Sequence, residues 1–350
     1  MQINFKVGFS IIAGLFVGLG AIGAYAQETG SPTPAPTKTV TPDAVSIPTT
    51  TGEAATEESS GPSQSLAQPW TQSDLSILTG NVQRPNGIAW HNGKLYTACN
   101  GDYTLYEIDD RTAATRTYIY GVRNAHMLYP EEQEGGRLAL WVPDFETNRL
   151  LFIDGAGTPQ PIATDMEGPW GIARLSDDEF LVTNQRGDNL VAVSRDGDTR
   201  TILSDLRLPT GLATDDDYVY VANYGRPRRA IEWFEKSAAL ADESGETAEV
   251  TSNVLVSGLQ NTTGVIMAGD GYLYFAYALG TRGVVGRVDP EVCRENGGCS
   301  NADVEIVVYT ELASPIAGLA VSPDMRLFMH TMFSPDIYWL QLDNPAAADS

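Results

Sequence analysis

The chain has 350 residues and a formal charge of −23, set by 45 Asp and Glu against 22 Lys and Arg. A protein this acidic is repelled by nucleic acid and by anionic membrane surfaces, which excludes both as non-specific partners. The length allows one large domain or two medium ones.

Residues 1–26 have the layout of a signal peptide. Lys6 supplies the charged start, residues 7–23 are apolar or small, and "AYA" at 24–26 fits a signal-peptidase site. The apolar run approaches membrane-spanning length, so a membrane attachment follows only if the segment stays uncleaved. Its five glycines and small-x-small ending favour cleavage, and no Cys follows it to mark a lipoprotein. The expected destination is periplasmic or extracellular. Residues 27–72 are rich in Pro, Thr, Ser, Ala and Glu and poor in large apolar groups, so they are expected to form a disordered linker. A disordered tail is expected at 344–350.

Between them one unit recurs: a small turn, Gly-Ile-Ala, an acidic turn, a β-rich run, Asn, a polar loop and a second β-rich run. "EGPWGIARLSDDEFLVTNQRGDNLVAVSRDG" at 167–197 is its fullest copy. Related stretches start at Arg84, Asn124, Leu208, Asn261 and Ser314. The repeat glycines are Gly87, Gly171, Gly211, Gly264 and Gly318, and His126 stands in the second slot. Each unit is preceded by a further β-rich segment: "LSILTG", "RTYIYG", "PQPIAT", "TRTILS", "NVLVSG" and "VEIVVYT". Six units of four strands make an all-β, six-bladed β-propeller over residues 73–343. The chain begins on a fourth-strand segment at 75–79 and ends after a third strand at 337–342. The first segment is therefore expected to complete the last blade and remove an open edge. Two insertions interrupt the rhythm. "AIEWFEKSAALADESGETAEV" in blade 4 carries helix formers, and blade 5 carries a loop between Cys293 and Cys299. In an oxidising compartment those two cysteines are expected to form a local disulfide, with Cys99 free and buried in a strand.

The repeat resembles NHL-repeat propellers and the wider gluconolactonase-like and strictosidine-synthase-like six-bladed group, over about residues 73–343. The resemblance speaks for fold, because these scaffolds host unrelated chemistries. For the calcium-dependent lactonases of that group, it implies metal ligands in the slot before each repeat glycine, with a Glu in an E-G-P-x-W motif. Here the slot holds Asn86, Ala125, Trp170, Thr210, Thr263 and Ala317, and Glu167 lies three residues before Trp170 with the spacer residue missing. Asn86 and Glu167 are the only candidate ligands, so a tight calcium site of that design is not expected, nor any other cofactor. There is no GxSxG, no HExxH and no phosphate-cradling glycine loop. Of three histidines, His91 falls in a lower turn, while His126 and His330 fall at the channel mouth.

In a propeller, the loops entering each first strand and those joining second to third strands share one face, here termed upper. Those loops carry Arg84, Arg123, Arg149, Arg186, Arg207, Arg226, Arg228, Arg229 and Arg282, with Trp170, Tyr224, Tyr277, Met332 and Phe333 among them. "NYGRPRR" at 223–229 stands out because few acids lie near it in sequence. Asn223, like Asn100 and Asn184, ends a second strand, where its amide suits tying down the next loop. Arg forks among aromatics suit an anionic small molecule or a protein segment. The expected function is therefore an exported, monomeric binding module. The alternative is a lactonase-type hydrolase or a lyase, its site rearranged around Asn86, His126, Glu167 and His330.

Overall fold

A computed structural model describes residues 68–155, 157–225, 227–240, 250–313, 316–332 and 334–342. The expected signal peptide, nearly all of the expected linker, the tail, Arg226 and Phe333 lie outside the described residues.

The β-rich runs form six sheets, each built on four antiparallel strands that run in sequence order outward from the channel, except that blade 6 takes its outer strand from the start of the domain. Blade 1 shows the pattern: Pro85–His91 innermost, then Lys94–Cys99, Thr104–Asp109 and Thr115–Tyr120 outermost. The innermost strand of each blade touches that of the next, and the sixth touches the first, so the sheets close a ring. Closure comes from both ends of the domain. Ser76–Thr79 pairs antiparallel with Ile337–Gln341 and becomes the outer strand of blade 6.

Close approach of neighbouring inner strands explains the Gly-Ile-Ala signature. A Cβ on Gly87 would lie 2.7 Å from the Ala125 carbonyl oxygen, and one on Gly318 would lie 2.9 Å from Ile88 Cγ2 of blade 1. Threonines stitch the same seam. Thr183 Oγ1 donates to the Thr210 carbonyl (2.7 Å), Thr210 Oγ1 to that of Thr262 (2.8 Å), and Thr263 Oγ1 to that of Ile316 (2.6 Å). Buried hydroxyls in this position are satisfied by backbone acceptors of the next blade, which removes their desolvation penalty. Large apolar side chains fill the spaces between blades, among them Phe180, Phe234, Phe275 and Phe328, all essentially inaccessible.

Two features depart from expectation. The first is that Trp70–Thr71, placed in the linker by the sequence reading, forms a short strand parallel to Glu305–Ala313 of blade 5. Cys299–Ser300 does the same against Asn253–Ser257 of blade 4. Each short strand leads through a capped 3₁₀ turn into the outer strand of the next blade. In one turn Thr71 N donates to Asp74 Oδ2 (2.8 Å), and in the other Ser300 N donates to Asp303 Oδ2 (2.8 Å). The two clasps cover outer edges that would otherwise expose unpaired backbone groups. The second departure is that the blade 4 insertion contributes a strand first: Ile231–Glu235 is the third strand of that blade, and Lys236–Ala239 is a 3₁₀ turn. Burial on both faces selected the strand over the helix-forming composition.

Cys293 and Cys299 are joined by a disulfide, and the segment before it is a short helix, Pro290–Glu295, capped by Asp289. Cys99 is free and buried, and burial pushes its thiol pKa up to about 12, which leaves it inert.

Candidate functional site at the channel mouth

All six inner strands start at the upper face, so the residues just ahead of the repeat glycines ring the channel mouth. In blade 2 that place brings His126 face to face with Trp170 of blade 3, ring centroids 3.3 Å apart and planes within 4°. Phe145 meets both rings edge-on, at 5.3 Å from His126 and 5.7 Å from Trp170. The Arg186 guanidinium lies over the Phe145 ring at 4.1 Å. Stacked aromatics with a guanidinium cap form a rigid, cation-bearing wall. Beside it opens a pocket of about 240 Å³ lined by Trp170, Gln185, Leu208, Tyr224, Thr263, Ala317 and Met332.

The floor next to this wall is polar. Asn86 Nδ2 donates to Asn124 Oδ1 and lies 3.5 Å from His126 Nε2. His330, on the second strand of blade 6, is fully buried against Gly318 and Ile88. Asn86 Oδ1, His126 Nδ1 and His330 Nε2 are buried and have no hydrogen-bond partner among the described residues. Native interiors leave few polar atoms in that condition, and three around one channel call for an explanation. Burial lowers the pKa of His126 well below the ordinary 6.5, with the nearby His330 adding to the effect. Burial also takes His330 down to about 4, outweighing its contacts with the Thr331 and Pro85 carbonyls. Both imidazoles are therefore neutral at physiological pH.

The sequence candidates thus divide. Asn86, His126 and Trp170 meet directly, Arg186 joins them through Phe145, His330 lies close enough to bias His126, and Tyr224 lines the mouth. Glu167 does not join them. Its exposed side chain lies against Gly187, and its carbonyl accepts from Arg186 N (2.9 Å). Tyr277 is core rather than mouth: it packs beside Phe275 and Gly286, where burial pushes its pKa up to about 12. Asn223 has a structural task. It accepts from Arg207 N (3.1 Å) and donates to the Arg229 carbonyl (2.9 Å) and to Glu232 Oε1 (3.0 Å).

Several arginines are paired. Arg229 meets buried Glu232 at 2.8 Å, which corrects the expectation that "NYGRPRR" lacks nearby acids, and Arg282 meets Glu311 at 3.2 Å. Arg228 is exposed on a 3₁₀ turn. Phe145, Gln185 and Leu208 were not picked out from sequence. Leu208 carries a signal only in three dimensions, as a large apolar side chain left 42% exposed at the mouth.

The donor set does not make an oxygen cage. The Thr210 and Thr263 hydroxyls donate to neighbouring carbonyls, and the Glu167 side chain lies against Gly187. Among the described residues, Asn86 Oδ1 is an unpartnered side-chain oxygen beside His126, a poor match to a hard cation that takes six to eight oxygens.

No protein-family model matches the chain, and no curated protein matches it. Solved structures do. A gluconolactonase from Xanthomonas campestris superposes with a TM-score of 0.57 at 14% identity, over 77% of this chain and 89% of its own. A calcium-binding protein, regucalcin, from Agrobacterium tumefaciens gives 0.56 at 13% identity, over 79% and 95%. A streptogramin B lyase gives 0.53 at 13% identity, over 77% and 97%. The chain shares with these proteins the β-propeller fold, built here of six blades.

Proposed function

We propose that the protein is an exported binding module whose upper channel mouth takes a small anionic organic molecule, or an acidic segment of another protein. The observation that carries this reading is the trio of unpartnered buried atoms, Asn86 Oδ1, His126 Nδ1 and His330 Nε2, beside the Trp170–Tyr224–Leu208 pocket. Leaving a buried polar group unsatisfied costs about 1–3 kcal/mol, so such groups are retained where a bound molecule completes them. Arg186 and Arg228 lie on the surrounding loops to attract negative charge. The disulfide supports export to an oxidising compartment, and the reading needs only a monomer.

The second reading, a hydrolase or lyase, draws support from the same imidazoles. A neutral histidine with an unpartnered ring nitrogen has the form of a general base. In that case His126 and His330 would handle the proton.

The test uses anilinonaphthalene sulfonate, an anionic aromatic probe, followed by its fluorescence and by Trp quenching. Binding by the parent, weakened by Tyr224→Ala and by Arg226→Ala with Arg228→Ala, supports the module. Metal content and lactone turnover are measured on the same preparations. Stoichiometric calcium with turnover in the parent would establish the enzyme instead.

A further inference from the structure

The upper face holds a second and larger pocket, about 500 Å³, off the channel axis between blades 1 and 2. Arg84, Asn100, Tyr103, Arg123, Asn124 and Thr147 line it, with Glu146 at the edge. Beneath it Asp144 is buried and committed to the backbone. Its carboxylate accepts from the N–H groups of Arg123 (2.9 Å), Asn124 (3.2 Å), Glu146 (3.2 Å) and Thr147 (3.3 Å). That carboxylate holds the two loops in place through their backbone N–H groups. Among the described residues neither Arg84 nor Arg123 forms an ion pair, and Arg123 is held over the Tyr103 ring at 4.5 Å. The left-handed backbone at Arg84 and Tyr103, φ 60° and 59°, belongs to the blade geometry: it recurs at Leu208 and Asn261 and at Asn148 and Asp188, the equivalent positions of other repeats. Two further atoms in the pocket, Asn100 Oδ1 and Thr147 Oγ1, are buried without a hydrogen-bond partner. Asn124 gives its Oδ1 to Asn86, which leaves its amide N–H groups to face a ligand.

These groups specify a ligand. Two guanidiniums without an ion pair offer hydrogen-bond forks to a carboxylate, while Glu146 at the rim and Asp144 beneath oppose a phosphate or sulfate dianion. Asn100 Oδ1 accepts only, so the ligand must also donate, and the Thr147 hydroxyl and Asn124 amide add positions for hydroxyl groups. A neutral sugar would leave both arginines unused, and an acidic peptide side chain brings the carboxylate without the hydroxyl donors. The volume suits one sugar ring, and exposed Tyr103 offers an aromatic surface. We propose that this pocket binds a uronic acid, its carboxylate on Arg84 and Arg123 and its hydroxyls on Asn100, Asn124 and Thr147. The proposal deepens the reading of the upper face as a binding surface, but it concerns a different pocket from the mouth.

Calorimetric titration of the parent with D-glucuronate, D-glucose and acetate tests it. Glucuronate should bind, with glucose and acetate at least about tenfold weaker, and Arg84→Ala or Arg123→Ala should each cost about tenfold in affinity. Both arginines are exposed, so the melting temperature of each variant should match the parent. The mouth substitution Tyr224→Ala should leave glucuronate binding unchanged. Absence of glucuronate binding, binding equal to that of acetate, or binding indifferent to both Arg substitutions would overturn the proposal. Anilinonaphthalene sulfonate binding at the mouth is measured separately, so either pocket can fail without the other. If the uronic acid site holds, a uronide disaccharide that binds more tightly than glucuronate assigns a glycan end, and equal binding assigns the free sugar.

Discussion

The two ends of the central channel enclose nearly the same volume, about 240 Å³ above and about 250 Å³ below, and differ in what faces it. The lower end is ringed by Ile88, Met127, Ile172, Leu212, Val265 and Leu319, one apolar side chain from each blade. Elsewhere in the blades buried side chains find partners. Trp141 Nε1 donates to Glu131 (2.9 Å), the Tyr220 hydroxyl to Asp215 (2.7 Å), and the Tyr274 hydroxyl to Asp270 (2.7 Å). At the upper end Asn86, His126 and His330 each keep a buried polar atom without a partner. The same repeat thus builds one end for cohesion and leaves the other incomplete. An incomplete end lowers stability, and a ligand that supplies the missing partners restores it.

Substitutions at the two ends should separate along that line. Ile172→Ala, at the lower end and 2% exposed, should cost about 2–5 kcal/mol of stability while leaving probe binding at the mouth intact. Denaturant unfolding and anilinonaphthalene sulfonate titration measure the two effects. Lost probe affinity in a folded Ile172→Ala protein would show that the ends are coupled and break the comparison.

Acid acts on the upper end. His330 titrates near 4 in the fold and near 6.5 when unfolded, so between those values the unfolded chain binds a proton that the native site refuses. Stability is full above about pH 6.5 and falls by about 1.4 kcal/mol per pH unit toward pH 4, where the native His330 protonates and its share of the loss levels off. His126, lowered by burial as well, adds to the decline. Unfolding of the parent and of His330→Asn at pH 7, 6 and 5 should show a shallower slope in the variant. Equal slopes would place the acid sensitivity elsewhere. A smaller effect is expected from Tyr224→Ala. Its half-buried ring lines the mouth, so probe affinity should fall several-fold with the melting temperature nearly unchanged.

The repeat explains why the fold was legible in the sequence. Close inner-strand packing favours glycine at one register position, and five such glycines in six near-copies of the unit announce six blades. Closure by residues 75–79 followed from counting strands, and the disulfide from two cysteines around a turn. The site was less legible. Tyr277 looked like a mouth residue, but in Leu273–Leu279 the first six residues are all buried, and such a strand has no alternation to separate mouth from core. Arg229 looked unpaired because Glu232 belongs to the following strand. Phe145 lies in a polar loop, and only folding sets its ring against His126 and Trp170. The clasps did carry a signal, the capping sequences "TQSD" and "SNAD", though their parallel pairing depends on neighbouring blades.

The smallest effect is expected at Glu167, where the metal-ligand resemblance is strongest in sequence. Its carboxylate is exposed and turned toward Gly187, and the local turn is held instead by its backbone carbonyl. Glu167→Gln keeps the shape and removes only the charge, so stability should stay within about 0.5 kcal/mol of the parent. Probe binding at the mouth should change less than about twofold, because the charge lost is solvated. Asn86→Ala gives the contrast: it removes a buried amide that joins Asn124 and leaves the His126 side of the floor with fewer partners. It should weaken both stability and probe binding. If Glu167→Gln instead abolished calcium uptake and lactone turnover present in the parent, the carboxylate would have to swing toward Asn86 when metal binds. The unpartnered Asn86 oxygen would then be a ligand waiting for an ion, and the upper end would be a catalytic site.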